Sequence, residues 1–202
     1  MSIIKYLIIM TMRNKIESVF DANKFKYVSF SDNCLYVVDY TDKTASVRSV
    51  EVHNVKPNDI ESLIIHNPTK INISTSIFTP HCFIDENGKE PKQCECVMSP
   101  TVLSAHSWVL FVEIKDCKPK NAANYHKDAK EKIIDNVQLF RDKKIIDDNK
   151  LVYAVVSFPR KGKTNFHNHL IKTSEQKKFR DDYKIMIKGT NEITIKDEKT
   201  IL

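Results

Sequence analysis

The stretch Trp108-Val109-Leu110-Phe111-Val112-Glu113-Ile114-Lys115 decides how this chain is read. Trp108 to Val112 is an unbroken apolar run, the signature of a strand buried on both faces. Yet it ends in a carboxylate and an amine two positions apart. Residues i and i+2 of a strand share a face, so Glu113 and Lys115 are expected to project together while Ile114 points away. Burying charged groups is costly unless a partner or a metal compensates. A chain that needed only a strand would end it with a neutral residue.

Working outward, Lys92-Gln93-Cys94-Glu95-Cys96-Val97-Met98 reads as a second short strand with an acid, Glu95, at its middle. Two neighbouring strands that each present a carboxylate, with a lysine beside them, supply oxygen ligands for a hard cation. Upstream, residues 71–84 are extended and broken at Pro80, and Asp85-Glu86-Asn87-Gly88 is a turn leading to the Glu95 strand. Downstream, Ala122, Ala129, Ile133, Val137 and Phe140 fall at helical spacing and predict a helix over 121–144. Residues 151–158 form the next buried strand, stopped by Pro159, and the crossover into it should be parallel and right-handed. Asn58 as N-cap with Glu61 three residues on predicts a helix that Asn67-Pro68 closes. A short helix near 13–20, an antiparallel meander over 25–30, 34–40 and 45–55, and a hairpin around Gly189-Thr190-Asn191 complete an α/β domain with a mixed sheet.

A strand with an acid, then an apolar strand ending Glu113-Ile114-Lys115, then a helix resembles the PD-(D/E)XK nuclease superfamily, which includes restriction endonucleases and junction resolvases. The resemblance covers residues 58–160, half of the chain. It implies a restriction endonuclease-like core, with a mixed central sheet flanked by helices and β-rich additions at both ends. It also implies Mg²⁺ (with Mn²⁺ substituting) held by Glu95 and Glu113 with the Ile114 carbonyl, and Lys115 at the nucleophilic water. Glu95 stands where the family usually has aspartate and no proline directly precedes it; Asp85 is the other acid considered for that place. Gln138, followed by Leu139, matches a glutamine many relatives carry after the Glu-x-Lys strand, and Glu61 matches the acid many place on their first helix. The implied activity is endonucleolytic cleavage of DNA, with RNA also possible for such a fold. A restriction, anti-phage or mobile-element role is implied, and a homodimer if both strands are cut. The alternative is a degenerate nuclease-like module that binds nucleic acid or protein.

Composition bounds these expectations. The 202 residues fit one domain, divided here into a β-rich addition over 1–56, a core over 57–160 and a basic extension over 161–202. Net charge +6 suits a partner bearing phosphates. Between 160 and 180, Arg160, Lys161, Lys163, Lys172, Lys177, Lys178 and Arg180 face one acid, Glu175. Arg160, Lys161 and Lys163 follow the last core strand, where a loop can grip a phosphate backbone without reading sequence. Three glycines leave no Gly-rich nucleotide-binding loop. Five cysteines at scattered spacing fit reduced thiols in a cytoplasm. The apolar patch Tyr6-Leu7-Ile8-Ile9-Met10 falls short of the ~20 residues that span a bilayer, so no membrane partner is expected.

Three rival constellations carry less. Cys94-x-Cys96 with Cys82, Cys117, His81 or His106 has the residue types of a zinc site, but Cys94 and Cys96 alternate against Glu95 and should pack beneath the helices. Phe166-His167-Asn168-His169-Leu170 spells the name of the HNH nucleases without their ββα framework. A cysteine nucleophile lacks a recognisable activating neighbour in the sequence.

Overall fold

The computed structural model describes residues 11–40, 50–85, 87–115, 122–161 and 171–202. In chain order the elements are α1 (Met12–Glu17), β1 (Phe25–Phe30), β2 (Cys34–Asp39), β3 (Val50–His53), β4 (Leu63–His66), β5 (Ile73–Phe78), β6 (Cys96–Pro100), β7 (Leu110–Ile114), α2 (Ala122–Asp142), β8 (Val152–Ser157), α3 (Thr173–Tyr183), β9 (Ile185–Gly189) and β10 (Glu192–Thr194). They build two mixed sheets. The larger runs β1-β5-β6-β7-β8-β9, antiparallel from β1 to β7 and parallel from β7 to β9. The smaller runs β10-β4-β2-β3, with β10 parallel to β4 and the other pairs antiparallel.

The apolar run over Trp108–Ile114 is continuous because both faces of β7 are covered. Val109 and Phe111 pack with Ile133, Val137 and Phe140 of α2 and with Met12 and Ile16 of α1. Leu110, Val112 and Ile114 pack against Leu35, Val37, Leu63, Ile65 and Ile193 of the smaller sheet. The molecule is therefore three layers: helices, six strands, four strands. The helical stripe Ala129, Ile133, Val137 and Phe140 is buried as its spacing requires, and each such large side chain contributes roughly 1.5–3 kcal/mol. Phe140 sits in an aromatic cluster, its ring edge-on to Phe111 at 5.2 Å and to Phe83 at 6.1 Å.

The α/β class, the α2 helix and the parallel β7–β8 pairing match the sequence reading. Four expectations are corrected. Residues 58–62 form no helix; the chain runs on into β4, whose Leu63 and Ile65 alternate into the space between the sheets. The predicted meander is divided, because β1 pairs with β5 while β2 and β3 join the smaller sheet. The C-terminal hairpin does not form: β9 adds to β8 and β10 to β4. Ile185 and Ile187 go to the helix-side core and Ile193 to the inter-sheet core, so separating the strands buries both sets. Finally, the packed helices share one face of the large sheet, and four strands rather than helices cover the other. The apolar patch over residues 6–10, Cys117, Lys163 and the 166–170 segment lie outside the described residues. No described helix is long and apolar enough to cross a membrane.

Candidate active site

Among the described residues three acids are buried: Asp39 at 1% exposure, Glu95 at 4% and Glu113 at 3%. All three lie on or beside the C-terminal end of β7, Glu113 on its helix side and Asp39 on the side of the smaller sheet. Glu113 belongs to β7, the Glu95 N–H donates to the Val112 carbonyl at 2.9 Å, and Asp39 is ion-paired with Lys115. In open α/β sheets the carboxyl ends of the parallel strands, where strand order or direction changes, are where ligands bind. Here β7 is the strand at which antiparallel pairing gives way to parallel.

Glu95 is not in a regular strand. Val112, which accepts its N–H, is paired in register with Cys96, so two residues face one across the ladder, a β-bulge. Bulges re-aim side chains, and the consequence is visible at the cysteines. Cys94 packs in the helix-side core and Cys96 between the sheets, instead of both lying beneath the helices. Asn136 of α2 fixes the approach to the bulge. Its Oδ1 accepts the Cys94 N–H at 3.3 Å and its amide donates to the Lys92 carbonyl and to the Lys132 carbonyl.

Glu113 and Lys115 do not act as a same-face pair. Glu113 points into the helix layer, where Lys132 of α2 places its Nζ 2.7 Å from Oε1. Lys115, one residue beyond β7, reaches the other way and lies 3.5 Å from Asp39 Oδ2 at the end of β2. The Lys115 N–H still bonds the Ser157 carbonyl of β8, so it is the long side chain beyond the end of β7 that turns to Asp39 rather than to Glu113. The residues missed by sequence reasoning are therefore Lys132 and Asp39. Asp39 carried a legible signal: like Glu113, it closes a run of strand-forming residues, Cys34-Leu35-Tyr36-Val37-Val38. Lys132 adjoins Ile133 of the apolar stripe, which places it at the border of the buried face.

The remaining candidates are spread out. Ile114 is buried between the sheets, with Ser157 as its register partner in β8. Asp85 is exposed and its Oδ1 accepts the N–H groups of Asn87 and Lys89, which commits it to the turn. Glu61 is exposed on irregular chain before β4. Gln138 is exposed on α2 and donates to Asp142 at 2.8 Å, away from the buried acids. Arg160 is exposed in a 3-10 turn over Pro159–Lys161, three residues past Ser157, whose carbonyl accepts the Lys115 N–H. The Lys161 side chain and Lys163 lie outside what is described.

Around this end, Lys92 bridges Asp128 at 2.8 Å and Glu131 at 2.6 Å of α2. Those two hydrogen bonds raise the Lys92 pKa, and the one to Glu131 lowers the pKa of that carboxyl. An open cleft of about 380 Å³ adjoins the network, lined by Pro80, His81, Glu90, Pro91, Lys92, Gln93 and Lys132. No group of three or more His, Cys, Asp or Glu side chains among the described residues is arranged to hold a metal ion. Mg²⁺ commonly takes one or two carboxylates, with water and substrate supplying the rest, so two buried acids on neighbouring strands match its donor chemistry. In this arrangement the countercharge at Glu113 is an ammonium. Comparison of the chain with protein-family models, with curated proteins and with solved structures finds no match in any of the three.

Proposed function

We propose that this chain is a metal-dependent nuclease of the PD-(D/E)XK kind, hydrolysing phosphodiester bonds of DNA. The observation that carries the reading is that Glu113, at the C-terminal end of β7, and Glu95, on the bulge bonded to Val112 of the same strand, are both buried acids. Isolated buried carboxylates are destabilising, and a fold that collects them at a strand terminus is organised around positive charge arriving there. In this reading Glu113 and Glu95 hold Mg²⁺, or Mn²⁺ in its place. When bound, such an ion would supply Lewis-acid neutralisation of the phosphate charge and acidify a nearby water. Lys132 neutralises Glu113 until a cation arrives and then stands beside the hydrolytic water. Lys115, held by Asp39, orients the substrate phosphate at the strand end. Arg160, with Lys161 and Lys163, grips the nucleic-acid backbone, a contact that weakens as salt rises. RNA is a possible substrate of the same site, and cutting both strands of a duplex calls for two copies of the chain.

A second reading is a nucleic-acid-binding module without cleavage. The pairing of Glu113 with Lys132 and of Asp39 with Lys115 favours it, because each acid then has a resident countercharge. Incubating the protein with plasmid and with RNA, with and without Mg²⁺, separates the two. Cleavage that needs Mg²⁺ and disappears in Glu113→Gln while DNA binding persists supports the nuclease. Retained binding without cleavage under every condition supports the module.

A further inference from the structure

The outer face of the smaller sheet carries a second constellation, on the side of β2 and β4 turned away from β7. Along β2 and β4 the residues Leu35, Val37, Leu63 and Ile65 point inward, which leaves Cys34, Tyr36 and His66 on the opposite face. Cys34 and His66 are register partners, and the Cys34 Sγ lies 3.7 Å from His66 Nδ1. On the other side of the ring, His66 Nε2 lies 3.5 Å from Glu192 Oε2 on β10. Three adjacent strands thus line up a thiol, an imidazole and a carboxylate, each ring nitrogen facing one neighbour. This is the order nucleophile, base, orienting acid.

We infer that Cys34 is a histidine-activated thiol that exchanges with low-molecular-weight disulfides, with His66 as its base and Glu192 steadying the imidazolium. The proposal does not depend on the nuclease reading. In the step, the Cys34 proton passes to His66 Nδ1 and the thiolate attacks one sulfur of the disulfide. A bond forms between Cys34 Sγ and that sulfur as the disulfide bond breaks. The departing thiolate takes up a proton, so one thiol is released and Cys34 ends as a mixed disulfide. The site is partly open: Cys34 is partly buried, while the His66 and Glu192 side chains are each 40% exposed. Cys82, Cys94 and Cys96 are buried. Among the described residues the neighbouring titratable groups include Tyr36 beside Cys34 on β2, His53 with Glu51, 3.2 Å apart on β3, and Tyr40, whose ring lies edge-on to His53 at 6.5 Å. Burial first, and the neighbouring Cys34 second, push the Tyr36 phenol above its ordinary range.

The test is the exchange rate of the native protein with the aromatic disulfide DTNB, followed from pH 6 to pH 10, with the modified cysteine located by peptide mapping. Cys34 should react first and account for the fast phase, which Cys34→Ser abolishes. His66→Ala should slow that phase several-fold at pH 7, because the base that takes up the Cys34 proton ahead of the attack is gone. Glu192→Gln should slow it less, and all three forms should converge near pH 10, where the thiolate forms unaided. Both substituted side chains are surface groups, and far-ultraviolet circular dichroism verifies their folding. The proposal is overturned if His66→Ala reacts at the wild-type rate at pH 7. It is equally overturned if the fast thiol maps to any cysteine other than Cys34.

Discussion

Replacing Lys132 by methionine separates a buried charge from its counter-ion without opening a large cavity. The Glu113 side chain is 4% exposed and that of Lys132 22%, so the carboxylate stays buried when the ammonium goes. Removing one partner of a buried pair costs about 3–5 kcal/mol. The partial exposure of Lys132 admits some water, which points to the lower end, about 3 kcal/mol. For a chain of this size that corresponds to a fall in Tm of roughly 6–12 °C. The assay is thermal and urea unfolding of the wild type, Lys132→Met, Glu113→Gln and the double variant. The double variant should recover most of the loss, because a neutral amide no longer needs the ammonium. Millimolar Mg²⁺ should raise the Tm of Lys132→Met more than that of the wild type, since binding to the folded state stabilises by mass action and the competing lysine is gone. A loss below about 1 kcal/mol, the value of an exposed pair, would refute the reasoning, as would a double variant no better than Lys132→Met.

Two further outcomes follow from the packing and the ionisation equilibria. Phe140→Ala should destabilise by about 3–5 kcal/mol, because it empties the centre of the ring cluster of Phe78, Phe83 and Phe111; chemical denaturation measures this, and a loss near zero would contradict the helix-side core. Burial, then the charge of Glu17, push the Tyr27 phenol up to about 12, against the lowering effect of Arg13, which lies 4.5 Å over the ring. The unfolded phenol ionises near 10, so this contribution is complete below that pH and is lost as pH rises toward about 12. Urea midpoints measured between pH 9 and pH 12 should fall more steeply for the wild type than for Tyr27→Phe, and parallel curves would contradict the shift.

What the sequence disclosed and what it hid have separate physical causes. The run ending in Glu113 announced a strand covered on both faces, and the 3.6-residue stripe of α2 announced its buried face, because both patterns record burial directly. The region over 58–66 misled because Asn58 and Glu61 imitate a helix start, while the alternation Leu63, Ile65 that decides the matter spans only four residues. Nothing local distinguished a hairpin over 185–194 from two strands in separate sheets, since that choice belongs to partners more than thirty residues upstream. At the site, Glu95 and Glu113 were legible as acids interrupting apolar strands. The bulge at Glu95 was not, because it arises from pairing with Val112. Neither was the exchange of lysine partners, which depends on α2 crossing the sheet at Glu113 and on β2 ending at Lys115.

The account rests on the buried acids at the end of β7 accepting a divalent cation. Titration of Mn²⁺ followed by electron paramagnetic resonance, where bound ion vanishes from the six-line free signal, measures this directly. The wild type should show one saturable site per chain, tighter in Lys132→Met, weaker in Glu95→Gln and lost in Glu113→Gln. No saturable binding in either the wild type or Lys132→Met, or binding indifferent to Glu113→Gln, would contradict it.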